Sequence, residues 1–245
     1  ATGTYGSIVI DAATGAWTYT LDNSLAATTA LDANDVVTDT FTMTVSDSAS
    51  SESDTMDVVI TITGADDAVD AGPDQTGGVT EDATVTTATG TVAASDDDAD
   101  SSFLYWIGDA FGSTAGTYGS LAIDSAGVWT YTIDNSAAAT TALDAGDTPT
   151  DAFTITVTDT SSSLTDTMTV TITVTGADDD VSAGGDQAGA VTEDATANTA
   201  TGTVAGSDAD ADSSLSYSGG ATGTYGSIVI DAATGAWTYT LDNSL

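Results

Sequence analysis

The stretch GTYGSIVIDAATGAWTYTLDNS starts at Gly3 and returns unchanged at Gly223, and a close variant, GTYGSLAIDSAGVWTYTIDNS, starts at Gly116. The segments that follow recur as well. ALDANDVVTDTFTMTVSDSA from Ala30 matches ALDAGDTPTDAFTITVTDTS from Ala142, and VVITITGADDAVDAGPDQTGGVTEDAT from Val58 matches TITVTGADDDVSAGGDQAGAVTEDAT from Thr171. A fixed period is the signature of a tandem array, and at roughly 110 residues each repeat is a whole domain instead of one small solenoid unit. The chain therefore reads as a window on a longer alternating array. A complete protein whose end domains complete each other between molecules is the less favoured reading, because complementary halves need no shared stretch.

Within a repeat, apolar residues alternate with threonine. Phe41, Met43 and Val45 share one face of FTMTVSD, Phe153, Ile155 and Val157 one face of FTITVTD, and Trp129, Tyr131 and Ile133 one face of WTYTI. Period-2 runs rich in Thr and β-branched residues predict half-buried strands, and the Gly-, Asn- and Asp-rich stretches between them predict hairpin turns. NSAAATTALDAG supplies at most a short helical turn. About seven such strands per repeat predict an all-β chain of tandem immunoglobulin-like sandwiches. Trp17 and Trp129, both on alternating strands, are expected to be core anchors. VTITG-ADD closes each domain and VTEDAT opens the next. The expected units are the back part of one domain over residues 1–66, a whole domain over 67–178, and the front of a third over 179–245.

Charge restricts the function. The 245 residues carry 38 acidic side chains and no Lys, Arg or His, for a formal net charge of −38. An apolar fraction of 40% with regularly placed aromatics favours a folded chain over a disordered one. Nucleic acid and anionic membranes, which are bound through Lys and Arg, are not expected partners. Salt, protons or a metal must offset the self-repulsion. There is no cysteine, hence no thiol chemistry, and the missing His, Cys and Lys remove the usual general bases, nucleophiles and zinc ligands. No run is apolar enough to span a bilayer, and the first residues carry no basic signal region, so residue 1 does not read as a natural secretory start. GGATGTYG leads into a strand and lacks the helix N-terminus of a phosphate cradle. An enzyme is not expected.

The acids cluster at fixed places in the repeat. Linkers carry Asp66, Asp67 and Asp70, then Asp178, Asp179 and Asp180. Just beyond each linker stand Glu81–Asp82 and Glu193–Asp194. SDDDADSS supplies Asp96, Asp97, Asp98 and Asp100, and SDADADSS supplies Asp208, Asp210 and Asp212. Asp47 and Asp159 end the long strands. Calcium takes six to eight oxygens, and bunched carboxylates with no cationic side chain among them are costly unless an ion sits there. Clusters recurring in register therefore predict Ca2+ over solvated acidic loops, and over Mg2+, which keeps its waters.

GTVAASDDDADSSFLYW, followed by FTITVTD and VTGADDD, resembles a cadherin repeat. GTYGSLAIDSAGVWTYTIDNS with ALDAGDTPTDAFTITVTD resembles more closely the VCBS repeat, a bacterial cadherin-like module arrayed in giant secreted adhesins, including those with RTX-type export signals. The resemblance implies calcium between consecutive domains. At the first linker, Asp66 and Asp67 would be joined by Asp96 and Asp98 from the next domain, whose loop also carries Asp100, and by Asp159 from its late strand. At the second, Asp178 and Asp179 would be joined by Glu81 from the preceding domain and Asp208 and Asp210 from the following one. Asp147 stands where cadherins place another acidic ligand, and Glu193 repeats Glu81. The linkers GADDAV and GADDDV lack the usual Asn-Asp and Pro. The resemblance implies a secreted or cell-surface fibre segment whose partners are neighbouring repeats, against alternatives of a self-assembling filament subunit or a glycan-binding module. Exposed Thr and Ser could carry O-glycans, but no N-x-[ST] sequon occurs.

Overall fold

The computed structural model describes residues 1–108 and 112–244, and over these the chain is almost wholly β. Residues 1–66 contain β1 (Gly6–Ile10), β2 (Trp17–Leu21), a four-residue helix α1 (Ala26–Thr29), β3 (Val36–Asp47) and β4 (Glu52–Thr63). The middle holds β5 (Gln75–Thr80), β6 (Thr87–Thr91), β7 (Phe103–Ile107), β8 (Ser113–Ala115), β9 (Gly119–Ile123), β10 (Val128–Ile133), β11 (Thr150–Asp159) and β12 (Thr165–Thr175). Last come β13 (Thr199–Thr203), β14 (Gly220–Thr222), β15 (Gly226–Ile230) and β16 (Ala236–Leu241). Among the described residues no helix is long and apolar enough to cross a membrane.

The middle strands form two four-stranded sheets, β6-β10-β9-β8 and β5-β12-β11-β7. All pairings are antiparallel except β5 with β12, which is parallel. The alternation in the sequence dictates what lies between them. Trp129, Tyr131 and Leu121 from one sheet meet Phe153, Ile155, Val157, Met168 and Ile172 from the other, all nearly inaccessible. Trp129 lies flat along Gly90, where any Cβ would collide with the indole, and its Nε1 donates to Gln75 Oε1 at 2.8 Å.

Asp151 ties the sheets together. It is buried on β11, and its carboxylate accepts the Thr117 and Tyr118 backbone N–H groups at 2.8 and 3.0 Å and the Tyr131 hydroxyl at 2.8 Å. Gly116 is glycine because a Cβ there would run into this carboxylate. Asp39 repeats the arrangement with Thr4, Tyr5 and Tyr19. Burial alone would raise the Asp39 pKa, but the Thr4 N–H, the Tyr19 hydroxyl and the Tyr5 N–H outweigh it and hold the carboxyl below its usual range. Burial and the bond to Asp39 push the Tyr19 hydroxyl up to about 12.

The flanking strands are partial copies. β1-β2 and β3-β4 form two-stranded sheets around Ile8, Phe41 and Val58. β13-β16-β15-β14 is a full counterpart of the first middle sheet, and among the described residues no second sheet packs against it. Trp129 is the core anchor expected from its strand, but Trp17 is 46% exposed. The reason is local: residues 1–66 have no counterpart of Gln75 or Gly90 to cover the indole. Val45, expected to face inward with Phe41, is likewise 72% exposed, whereas its counterpart Val157, with β7 paired beside it and the other sheet packed against it, is 0% exposed.

The Asp151 clamp can be tested alone. Asp151→Asn places an N–H group against donors in a buried site, and we expect a loss of about 2 kcal/mol, read as a lower Tm for the main unfolding transition. An unchanged Tm would mean the anion is not needed. For Asp39, whose folded pKa is depressed, the contribution is present at neutral pH and disappears as pH falls through that depressed value.

Candidate metal centre at the linkers

Two segments, around residues 64–70 and 176–182, leave the ends of β4 and β12 and run past an Asp-rich loop. The chain grips each loop in the same way. Asp70 and Ser95 exchange backbone hydrogen bonds at 2.8 and 2.9 Å, as Ser182 and Ser207 do at 2.8 Å. That bridge brings the loop carboxylate under the linker backbone. The Asp67 N–H donates to Asp98 Oδ2 at 2.7 Å, and the Asp179 N–H donates to Asp210 Oδ2 at 2.8 Å. Within each loop the Asp98 N–H donates to Asp96 Oδ1 at 3.0 Å and the Asp210 N–H to Asp208 Oδ1 at 3.3 Å. The D-x-D spacing is what lets one carboxylate steady the next.

From the preceding strands comes a second set of acids. Asp66 Oδ1 accepts the Ala33 N–H at 2.9 Å and Asp178 Oδ1 the Ala145 N–H at 2.8 Å, pinning each linker to the LDA turn before the long strands. In that turn Asp32 faces Asp100 and Asp98, and Asp144 Oδ1 accepts the Asp212 N–H at 3.3 Å. Glu81 follows directly on β5 and is 2% exposed. Its Oε2 accepts the Ala177 N–H at 3.4 Å, and Asp179, Asp82 and Asp210 surround it.

Burial and like charge act together here. Burial first, then the neighbouring acids, raise the pKa values of Glu81, Asp98, Asp179, Asp32 and Asp144. Several oxygens have lost water without gaining a donor: Asp32 Oδ1, Asp96 Oδ2 and Asp98 Oδ1 at the first linker, and Glu81 Oε1 and Asp210 Oδ1 at the second. Asn135 Oδ1, beyond the end of β10, is a further one. A desolvated carboxylate oxygen with no partner costs far more than a paired one, and the demand here is for positive charge. Every available donor is oxygen, which suits a hard cation such as Ca2+ and not zinc. Among the described residues no three acids close round one point as a finished cage. The orphaned oxygens are the acceptors a cation at either linker would find unused.

The candidate residues divide accordingly. Asp66, Asp67, Asp96, Asp98 and Asp100 gather at the first linker, and Asp178, Asp179, Glu81, Asp208 and Asp210 at the second. Asp147 is exposed beside the second linker, where its carbonyl accepts the Gly176 N–H at 2.9 Å. Asp159 is used differently. Although burial would raise its pKa, donors from Ser102, Ser161 and Ser162 fill both oxygens at the β11–β12 turn and hold it far below the carboxylate range. Glu193 is exposed and meets neither linker. Asp32, Asp82, Asp144 and Asp212 belong with the gathered set. The in-register pair ALDAND and ALDAGD was the signal for Asp32 and Asp144, because the Asp three residues before Asp35 or Asp147 recurs in both copies.

Residues 65–176 match the family model of the bacterial cadherin-like domain. No curated protein matches the chain. Among solved structures, Drosophila N-cadherin EC1-4 is similar at 12% identity and a TM-score of 0.40, over 98% of this chain and 59% of that one. The human Desmocollin-1 ectodomain is similar at 11% identity and a TM-score of 0.33, over 98% of this chain and 44% of that one. The chain thus spans less than two thirds of either ectodomain. The matched cadherin-like domain begins and ends in the two linkers, so both acid clusters lie at its ends.

Replacing Asp96, Asp98 and Asp100 together by Asn removes charge but keeps size and turn propensity. Calcium stoichiometry measured by equilibrium dialysis should fall, with the binding assigned to the second linker retained and the β signature in circular dichroism intact. An unchanged stoichiometry would make these clusters solvated acid, and loss of the β signature in calcium-free buffer would make the loop part of the core.

Proposed function

We propose that this chain is a calcium-stiffened structural segment of a long extracellular adhesin or surface fibre, built from repeats of the VCBS type. The observation that carries this reading is the pair of in-register clusters of desolvated, unpartnered carboxylate oxygens, one at each linker. The match of residues 65–176 to the bacterial cadherin-like domain supports it.

The mechanism follows from which side of the linker each acid comes from. At the second linker Glu81 and Asp144 come from before it, and Asp208, Asp210 and Asp212 come from after it. Like charges on both sides push the two sides apart, by about 4 kcal/mol per unit pair at 4 Å for an effective dielectric near 20. A bound divalent cation supplies the charge that turns this repulsion into attraction. The Asp67–Asp98 and Asp179–Asp210 hydrogen bonds fix the loop against the linker backbone in advance, so an ion has only side chains left to order. With no cationic side chain in the sequence, the stiffness of the array depends on the ion concentration outside it. The work of such a segment is reach, and no catalytic group is assigned.

Small-angle X-ray scattering on residues 1–245 in 5–10 mM CaCl2 or in chelator, about ten times a millimolar-range extracellular Kd, tests this. The maximum dimension should be larger and its distribution narrower with calcium. Superimposable profiles would contradict the proposal.

A further inference from the structure

The outer face of the middle domain's β5-β12-β11-β7 sheet carries no acid, although 38 of the 245 residues are acidic. Strand alternation fixes which residues lie there. With Phe153, Ile155 and Val157 turned to the core, the outward positions of β11 are Thr150, Ala152, Thr154, Thr156 and Thr158, and β12 sets a threonine opposite each, from Thr173 to Thr165. Thr76, Gly78 and Thr80 continue the face on β5, and Leu104 and Trp106 on β7. Thr76, Thr154 and Thr167 are exposed. A soluble surface is ordinarily about 25–35% charged, and here no outward strand position is. The acids stop at the rim, where Asp74, just before β5, accepts the Thr169 N–H at 2.7 Å.

The pattern recurs at the repeat period. Thr38, Thr40, Thr42 and Thr44 hold the same outward places on β3, and the one acid opposite them, Asp57, accepts the Thr42 hydroxyl at 2.7 Å. In a chain with no Lys, Arg or His, contact between two copies sets carboxylate against carboxylate wherever acids face outward, and no cationic side chain relieves it. A threonine hydroxyl both donates and accepts, so two such faces satisfy each other, and the threonine methyl groups with Leu104 add apolar area. The outer face of β6-β10-β9-β8 also lacks acid, but its strands are shorter and carry fewer threonines.

We propose that the outer face of β5-β12-β11-β7 is a lateral contact between copies of this chain, threonine face on threonine face. Sheets packed in this way lie about 10 Å apart with their strands within about 30° of each other. Strand spacings of about 4.8 Å and a rise of about 3.3 Å per residue make the face about 15 Å across and 30 Å long. One contact therefore buries about 1,000 Å2 in total, under the roughly 1,200 Å2 at which stable complexes begin. A single pair of faces holds weakly. Repetition of the face along the chain strengthens the union, because each further contact is intramolecular once the first has formed. The acids at the domain ends repel at long range, so salt favours the contact. The contact uses no linker acid and does not rest on the calcium reading.

The chain has no cysteine, so a single introduced one reports the contact. Thr154→Cys, Thr156→Cys and Thr167→Cys each place a thiol in the middle of the face, and Ser125→Cys places one in the β9–β10 turn. In chelator and about 1 M NaCl, where charges are screened beyond about 3 Å, at least one face variant should form a disulfide-linked dimer of the 24.1 kDa chain roughly tenfold faster than Ser125→Cys. Adding Thr169→Glu to that variant should return it to the Ser125→Cys rate with circular dichroism unchanged. Thr76→Glu, on the edge strand β5, serves where Thr169→Glu disturbs the fold. Sedimentation equilibrium of the parent should show mass rising with concentration, and rising less at low salt. Equal rates for face and turn thiols, a rate indifferent to the added Glu, or a parent that stays monomeric to about 1 mM, the range a contact of this size calls for, would each overturn the proposal. A monomeric parent retained on insoluble chitin or cellulose, and released by Thr169→Glu, would assign the face to a neutral polysaccharide and overturn it as well.

Discussion

Every carboxylate in this chain must find its counter-charge outside the set of side chains. Thirty-eight acids and no Lys, Arg or His leave N–H groups, hydroxyls and external ions as the only partners. The structure sorts its acids by which of these they meet. Asp39 and Asp151 are surrounded by N–H and O–H donors and serve the core as clamps. Asp159 is surrounded by serines and closes a hairpin. Asp98, Asp210 and Glu81 are just as buried but each keeps an oxygen with no donor. Burial with full satisfaction builds structure, and burial without it builds a demand for a cation.

The positions of that demand explain the architecture around it. Trp129, Tyr131, Phe153 and Ile155 close the sandwich core between the sheets. The unsatisfied oxygens lie at its two ends, where a linker, a D-x-D loop and an LDA turn from successive repeats meet. The core therefore depends on period-2 apolar patterning, and the proposed stiffening depends on acids that this patterning leaves outside the core.

Much of this was legible in the sequence. Alternation in FTITVTD and WTYTI gives β11 and β10 directly, and repetition marks the acidic clusters. Trp17 misleads because a strand pattern specifies which face is apolar but not whether a second sheet is there to cover it. Residues 187–192 show the same limit, since QAGAVT, the counterpart of the QTGGVT that forms β5, forms no strand where no partner strand lies beside it among the described residues. Asp159 misleads for a different reason. Strand-end position placed it near a domain end, but only the three-dimensional turn shows Ser161 and Ser162 filling its oxygens. Asp32 and Asp144 were visible as repeated residues, yet their reach across the linkers depends on a turn whose geometry one sequence does not specify.

The central claim is that the orphaned oxygens at the linkers are cation positions. Anomalous diffraction from crystals grown with CaCl2 tests it most directly. The account predicts one or more calcium peaks at each linker, within about 2.3–2.6 Å of Asp98 Oδ1 at the first and of Asp210 Oδ1 and Glu81 Oε1 at the second. Linkers with no anomalous peak at saturating calcium, or with waters donating to those oxygens instead, would contradict it.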